Sequence, residues 1–314
     1  MTLIISAITS SGIVLTADSR QSYKNRAGAI RIGSDSASKL FKLTDYVGVS
    51  VSGKAFLSED DQPPKDISYF INNFKQTENI KELSVKDVAN KLNKYLGDIF
   101  IEKESVLLKK LIEQRVIKIG GTDLAFSPLD GPLVPYTYVN KEGKKISDQG
   151  IIDTINMIVA GIDKDKIGRA YSVWIPKGIT LEKDTQGCGA LWCGQNDVVS
   201  RIIKGFAPEI EQLNFVKEAL LKDQNLVINQ LNQMEYIVNW GTMTIQDAVD
   251  FCVLMTRTTE SIQRFSDGTR LQPGGIPGVG GEVDIAIITS GKGFCWLKKK
   301  KLVAEGEELC LGED

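Results

Sequence analysis

The stretch TLIISAITSSGIVLTADSR, residues 2–20, has the pattern of two buried β-strands joined by a tight turn. Its apolar run begins directly after Thr2, although the first residues of most domains are frayed. A turn signal of two serines and Gly12 follows, and IVLTAD at 13–18 has the composition of a second strand. The sequence therefore predicts a hairpin that buries the N-terminal strand and fixes Thr2 at its beginning.

The overall composition is that of an ordinary globular protein. The chain has 314 residues, 42% hydrophobic and 25% charged, which fits one large domain or two small ones. A net charge of −2 argues against nucleic acid or a membrane surface as partner, and no apolar run approaches the roughly 18 residues of a transmembrane helix. The first basic residue is Arg20, so no secretory leader is expected. Five cysteines without regular spacing favour a reduced, cytoplasmic protein.

The chain contains no histidine. This excludes a Ser-His-Asp or Cys-His catalytic arrangement and any zinc site that uses histidine. The general base of an enzyme with this composition is then a carboxylate, a lysine with a lowered pKa, or the α-amine of the chain. An α-amine has an ordinary pKa of about 7.7–8.0, which suits that role near neutral pH. A histidine-free chain that starts Met-Thr therefore directs attention to its own N-terminus.

Strand and helix patterns occur in separate blocks along the chain. Strand patterns dominate up to residue 53, recur in four pieces between residues 123 and 176, and return from 283 onward. We predict helices over 66–75, from Ser84 onward (with 97–118 either extending that helix or forming another), over 196–206, over 209–234 and over 244–265. Blocks of this kind are typical of stacked layers in the α+β class.

Three segments near the start of the chain resemble proteasome β-type subunits, a proteasome-like peptidase family among the N-terminal-nucleophile (Ntn) hydrolases. They are TLIISAITSSGIVLTADSR, KLFKL at 39–43 and VGVSVSGKA at 47–55. Later segments, SVKDVANKLNKYL, MIVAGIDKDKIGRAYSVWIPKG and GGEVDIAII, resemble the family more loosely. The resemblance implies a four-layer αββα sandwich, with two antiparallel sheets between helical layers. It also implies a single Ntn-hydrolase-like domain over 1–314, with insertions near 97–120 and 207–240.

The resemblance places a catalytic constellation on Thr2, Asp18, Lys39 and Gly53. A threonine hydroxyl is a poor nucleophile until a base takes its proton, and a free α-amine on the same residue can do so once Met1 is removed. Asp18 and Lys39 form a charged pair in which the carboxylate keeps the lysine cationic and the cation favours loss of the hydroxyl proton. The amide of Gly53 is expected to face the developing oxyanion.

Three neighbouring residues receive secondary roles. Arg20 is expected to pair with a carboxylate and support the structure. Lys54, directly after the oxyanion glycine, either lines the substrate cleft or points to water, and Ser22 is a candidate for positioning the substrate backbone. The family's polar Asp-x-x-Ser-Gly stretch corresponds here to IPGVGGEVD, with Ile276 and Val279 at the polar positions. A supporting serine at the start of the third helix corresponds to Gln195 or Asn196.

The function that follows is an N-terminal threonine endopeptidase that cleaves peptides or unfolded proteins within a homo-oligomeric ring or stack. The alternatives are a catalytically silent subunit of such an assembly and an Ntn amidohydrolase acting on a small amide. An ATPase partner is compatible with the first function and is not identifiable from the sequence. No cofactor and no metal is predicted. The lysine run at 298–301 is expected to face solvent or to protect an edge strand.

Overall fold

The computed structural model describes residues 2–24, 29–58, 63–271, 273–274, 276–304 and 307–309. Over these residues the protein is of mixed α+β class, with six α-helices and several antiparallel sheets. The strands are β1 (Leu3–Thr9), β2 (Gly12–Ala17), β3 (Gln21–Lys24), β4 (Ile30–Ser34), β5 (Leu40–Lys42), β6 (Val47–Gly53), β7 (Phe56–Leu57), β8 (Lys65–Asp66), β9 (Thr122–Phe126), β10 (Leu133–Val139), β11 (Lys145–Ile151), β12 (Ile155–Ile162), β13 (Gly168–Ile175), β14 (Gly178–Asp184), β15 (Gly189–Gly194), β16 (Asp284–Thr289), β17 (Gly293–Lys298), β18 (Leu302–Ala304) and β19 (Glu307–Leu309). The α-helices are α1 (Ile67–Thr77), α2 (Val85–Lys118), α3 (Asp197–Lys204), α4 (Asn214–Lys222), α5 (Gln224–Asn232) and α6 (Ile245–Phe265).

Within the described ranges, the strands form two five-stranded sheets, one three-stranded sheet and three short strand pairs. Sheet I has the order β15-β1-β2-β16-β17, sheet II the order β14-β13-β12-β6-β5, and sheet III the order β11-β10-β9. Neighbouring strands in all three sheets are antiparallel. The predicted N-terminal hairpin is confirmed, since β1 pairs with β2 from Ile4 opposite Ala17 to Thr9 opposite Gly12.

Strand β1 is buried along its whole length and mostly apolar because both of its faces are covered. Side chains alternate between the two faces of a strand. Leu3 and Ile5 belong to a core cluster that contains residues of α3 and α6, whereas Ile4 and Ile8 belong to a cluster with residues of sheet II. All seven residues of β1 are buried. A strand that is covered on both faces favours apolar residues at successive positions, rather than an alternation of apolar and polar residues.

The two large sheets and the helices share three core clusters. Sheet II packs against α1 and the first half of α2, and sheet I packs against α3 and α6. A third cluster combines apolar side chains of both sheets, among them Leu15 and Ile288 from sheet I and Ile158 and Ala170 from sheet II. Each helical set therefore covers one sheet, while the remaining faces of the two sheets contribute to a shared core.

Helix α2 continues without interruption through 97–118. From the sequence alone, this segment is either an extension of that helix or a separate one. Its 34 residues span about 50 Å. Ser84 caps the N-terminus by accepting a hydrogen bond from the amide of Asp87. The second half packs on sheet III, where Ile112 and Val116 join Val134 in a small separate core. The interpretation of 97–120 and 207–240 as insertions stays a prediction.

The prediction of one helix over 209–234 is wrong. The segment consists of a 3₁₀ turn (Pro208–Gln212), α4 and α5. The break between the two helices lies at Asp223, whose backbone is extended and whose side chain accepts a hydrogen bond from the amide of Leu226. An aspartate in this position offers the backbone a cap that competes with continued helix. Among the described residues, the helices are too short or too polar to cross a bilayer.

Candidate active site

Thr2 lies at the start of β1, the strand between β15 and β2 in sheet I. Its carbonyl accepts a hydrogen bond from the amide of Gln195 at 2.7 Å, and the next residue, Leu3, is paired with Gly194. Thr2 is only 5% exposed. The sheet therefore holds the backbone of Thr2 on the β15 side, and the burial of LIISAIT fixes this residue in place.

Gly194 makes the close approach of β15 to Thr2 possible. Its φ is +95°, and a Cβ at this position would lie 1.9 Å from the Thr2 carbonyl oxygen. The same Cβ would lie 3.5 Å from Cβ of Ser52, which is near the end of β6. Only glycine tolerates both the backbone conformation and the contact. The end of β6 is thereby brought next to Thr2, the residue that precedes β1.

Lys39 reaches the Thr2 hydroxyl from the residue before β5. Its Nζ lies 2.7 Å from Oγ1 of Thr2 and 3.1 Å from Oδ1 of Asp18, and it also donates to the carbonyl oxygen of Arg20. These three acceptors match the three hydrogens of an ammonium group. The carbonyl of Lys39 accepts from the amide of Val51 in β6 at 2.8 Å, so sheet II fixes the lysine backbone.

Asp18 is fully buried and receives hydrogen bonds from the backbone on two sides. Oδ1 accepts from the amide of Leu3 at 3.0 Å, and Oδ2 accepts from the amides of Arg20 and Gly280, each at 3.1 Å. Burial raises the pKa of this carboxyl group, and the charge of Lys39 and the backbone amides oppose that shift. The carboxylate thus holds the start of β1 and Lys39 in one network.

Burial lowers the pKa of Lys39, while the neighbouring Asp18 carboxylate opposes the change. Desolvation disfavours the charged form of a lysine, and a nearby anion favours it. The lowered pKa means that Lys39 loses its proton at a lower pH than an exposed lysine does. A lysine of this kind, in contact with a hydroxyl, is a candidate for activating that hydroxyl.

Arg20 makes a bidentate ion pair with Asp35, with nitrogen–oxygen distances of 2.7 and 2.9 Å. Its guanidinium lies against Gly280, where an added Cβ would approach Nε to 2.8 Å. The guanidinium is therefore used within the structure, and the group that Arg20 presents to Lys39 is its backbone carbonyl.

Gly53 ends β6 in a left-handed conformation, with φ +94°. A Cβ there would come within 2.2 Å of the Thr154 carbonyl oxygen, so the backbone crossing to β12 requires glycine. Gly53 is exposed, and the adjoining Ser52 lies beside Gly194 as described above. The role of the Gly53 amide as an oxyanion donor stays a prediction.

Lys54 forms ion pairs with two carboxylates, and Ser22 lies in the strand pair formed by β3 and β4. Lys54 Nζ lies 3.1 Å from Glu104 of α2 and 3.0 Å from Asp153. Ser22 lies in β3 opposite Ile32 of β4. The proposed substrate-binding roles of both residues stay predictions.

The glycine-rich loop before β16 contributes backbone groups to the site. Val279 is fully buried in the core, and the amides of Gly278 and Val279 both donate to Oε1 of Gln263 at 2.9 Å. Gly280 donates its amide to Asp18 and accepts with its carbonyl from the amides of Ser19 and Arg20. The contact of Gly280 with Asp18 could have been inferred from the sequence only through the clustered glycines.

Met1 lies outside the described residues, and these contain no group of three or more histidine, cysteine, aspartate or glutamate side chains arranged for a metal ion.

Comparison with known proteins gives little family information. No protein-family model matches the chain, and no curated protein matches it. A solved structure, the Anbu (Gly-1) mutant from Hyphomicrobium sp. strain MC1, is similar at 14% sequence identity and a TM-score of 0.44. The match covers 98% of this chain and 89% of that one.

The assignment to the proteasome β-type subunits, made from the N-terminal motifs, is wrong. The similarity found is to an Anbu structure, and at 14% identity it does not support a proteasome β subunit. The motifs that carried the resemblance lie mostly within residues 2–55, where a buried hairpin and a lysine–carboxylate pair constrain the sequence locally. Such short constraints do not identify a family for the whole chain.

Proposed function

We propose that the protein hydrolyses peptide or related amide bonds with the Thr2 hydroxyl as nucleophile, after removal of Met1. The observation that carries this proposal is the 2.7 Å contact between Lys39 Nζ and Thr2 Oγ1, inside a buried network with Asp18. A hydroxyl beside a cation and a base is the usual arrangement of an activated nucleophile. Because the sequence contains no histidine, the candidates for proton transfer at this site are the α-amine, Lys39 and the Asp18 carboxylate.

The proposed reaction proceeds through an ester. Thr2 Oγ1 bonds to the substrate carbonyl carbon while the α-amine takes the hydroxyl proton, and the Lys39 ammonium stabilises the forming alkoxide character of Oγ1. The tetrahedral oxyanion is placed at the Gly53 amide, a contribution of about 3 kcal/mol in other hydrolases. When the carbon–nitrogen bond breaks, the proton passes to the leaving amine. Water, deprotonated by the same α-amine, then hydrolyses the ester.

We infer that the two large sheets form the central layers of a four-layer αββα sandwich. The three shared cores support this arrangement: helices and sheet II, both sheets together, and sheet I with its own helices. In such an arrangement Thr2 starts a strand of one sheet while Lys39 is anchored to a strand of the other. The network at Thr2 then lies where the start of β1 in sheet I approaches the end of β6 in sheet II.

The first test concerns the terminus. We predict that the protein from its native host lacks Met1. A small residue at position 2 permits removal of Met1, and the proposed base is the α-amine that this removal creates on Thr2. Intact-mass spectrometry should give a mass lower than that of the full chain by one methionine residue. A matched pair of proteins made by cleavage of an N-terminal fusion, one beginning at Thr2 and one at Met1, should show amide hydrolysis only in the former. Equal activity of the two would contradict the role of the α-amine.

We further propose that copies of the chain associate into a homo-oligomer. Apolar side chains at Phe215, Leu221, Tyr236 and Ile237 are between 69% and 94% exposed, and Leu221 also lines a groove with Leu220 and Ile228. Apolar surface of this kind is typical of contact regions. Light scattering at micromolar concentration should give a multiple of the chain mass, and Leu221→Asp with Ile237→Asp should reduce it. A monomer mass for the unchanged protein would contradict the assembly and favour a small-amide substrate.

A further inference from the structure

A second, largely covered lysine is connected to the Thr2 network through Ser19. Lys300 follows β17, within the lysine run that was expected to face solvent, yet its side chain is only 11% exposed. Its Nζ donates to Oδ2 of Asp284 and, at 2.9 Å, to Oγ of Ser19. Its backbone amide also donates to Oδ1 of Asp284 at 2.9 Å. The expectation for this residue was wrong because Asp284, at the start of β16, provides a buried partner that is close in space and not in sequence.

Ser19 connects this second lysine to the candidate catalytic groups. It is fully buried, donates its hydroxyl hydrogen to the carbonyl of Glu282 at 2.6 Å and accepts from Lys300. Its neighbours in the chain are Asp18, which binds Lys39, and Arg20, whose carbonyl accepts from Lys39. In the turn that follows β2, Asp18 and the Arg20 carbonyl therefore accept hydrogen bonds from Lys39. Ser19, which lies between them, accepts from Lys300.

We propose that Lys300, held by Asp284 against the Ser19 hydroxyl, is a positioning residue of the Thr2 site. This inference rests on the proposed Thr2 chemistry. Lys300 fixes the turn at Ser19 and so sets the distance from Asp18 and from the Arg20 carbonyl to Lys39. Activity thereby depends on the chain beyond the last strand of sheet I.

The charge of Lys300 acts on Lys39 as well. The charged groups that act on Lys39 are Asp18 directly after β2, Asp35 after β4 and Lys300 after β17. The guanidinium of Arg20 is itself paired with Asp35. The two carboxylates favour the Lys39 cation, whereas Lys300 disfavours it. Removing the Lys300 charge therefore raises the pKa of Lys39, and removing its hydrogen bond loosens the Ser19 turn.

The test compares Lys300→Met with Lys300→Arg and with Lys299→Met, a neighbouring exposed lysine whose side chain lies over Trp296. We expect Lys300→Met to lower kcat/KM on a peptide amide by about 10–100-fold, as misplaced catalytic groups commonly do. The alkaline limb of its pH–rate profile should move to higher pH. Lys300→Arg should keep the limb of the unchanged protein, and Lys299→Met should keep both rate and limb. A lower rate with an unmoved limb would show a merely structural role and overturn the proposal.

Two further measurements keep the inference independent of folding and of the proposed activity. If Lys300→Met fails to fold because Asp284 is left buried without its cation, the double variant Lys300→Met/Asp284→Asn removes both charges. This double variant should still lose activity, since the Ser19 contact is gone; a rate and limb equal to those of the unchanged protein would overturn the proposal. Nitrogen NMR of the lysine Nζ groups, with the Lys39 signal identified by Lys39→Arg, reads the pKa of Lys39 without turnover. An unmoved Lys39 titration in Lys300→Met would refute the inference even if no substrate is cleaved, whereas an inactive protein with a moved titration would refute only the proposed function.

Discussion

Thr2→Ala should reduce amide hydrolysis by about 10⁴-fold or more, to the background of the assay, while the protein remains folded. The substitution removes the hydroxyl that lies 2.7 Å from Lys39 Nζ and leaves the backbone contacts of β1 unchanged. Lys39 keeps two of its three acceptors, Asp18 and the Arg20 carbonyl, so the cost in unfolding free energy is only about 1–2 kcal/mol. The measurements are kcat/KM on a fluorogenic peptide and the melting temperature.

The matched control for this experiment is Thr2→Ser, which keeps a hydroxyl on the same atom and loses only the methyl group. It should retain measurable activity. It should also react with an electrophilic peptide analogue, and mass spectrometry should then detect a covalent adduct on residue 2. All variants are produced by cleavage of a fusion, so that residue 2 carries a free α-amine in each. Undiminished hydrolysis by Thr2→Ala would show that another group is the nucleophile.

The N-terminal hairpin could be predicted because its signals are local. A mostly apolar run, a serine–glycine turn and a second mostly apolar run lie within 2–20, and the structure pairs β1 with β2 as a hairpin. Helix α2 was predictable for the same reason, since Ser84 and the apolar positions that follow it define a capped helix. What the sequence left open there, the continuation past residue 97, was decided by packing against sheet III.

The second layer of the site could not be predicted because it depends on sheet order. Gly280 and Lys300 contact residues 18 and 19 across 262 and 281 positions of sequence, which happens because β16 pairs with β2 and β17 pairs with β16. A run of lysines in isolation has the composition of solvated surface, and nothing local marks Asp284 as the partner of one of them. The same limit explains the family assignment: motifs around Thr2 and Lys39 describe a local network, and most of the chain lies outside it.

Lys39→Met should lower hydrolysis by about 10²–10⁴-fold, the range usual for loss of a group that assists proton transfer. The variant keeps an unbranched side chain, one atom shorter than that of lysine, and removes both the charge and the hydrogen bond to Thr2 Oγ1. Asp18 stays buried, and it keeps its hydrogen bonds from the amides of Leu3, Arg20 and Gly280. Because an unpaired buried carboxylate is costly, Lys39→Met/Asp18→Asn is the companion variant, and it should fold better while remaining equally impaired.

The pH dependence of the unchanged protein gives an independent check on the role of Lys39. If the Lys39 cation assists, activity should rise as the α-amine loses its proton, near the ordinary α-amine pKa of about 7.7–8.0. Activity should fall again at higher pH, where Lys39 loses its proton. Burial lowers the pKa of Lys39, so the fall should begin below the pH at which an exposed lysine titrates. Lys39→Arg keeps the charge at every accessible pH and should therefore lack the alkaline fall, although its planar group fits the three acceptors poorly and its maximal rate should be lower. An alkaline fall that persists in Lys39→Arg would assign that ionisation to a different group and remove the lysine cation from the mechanism.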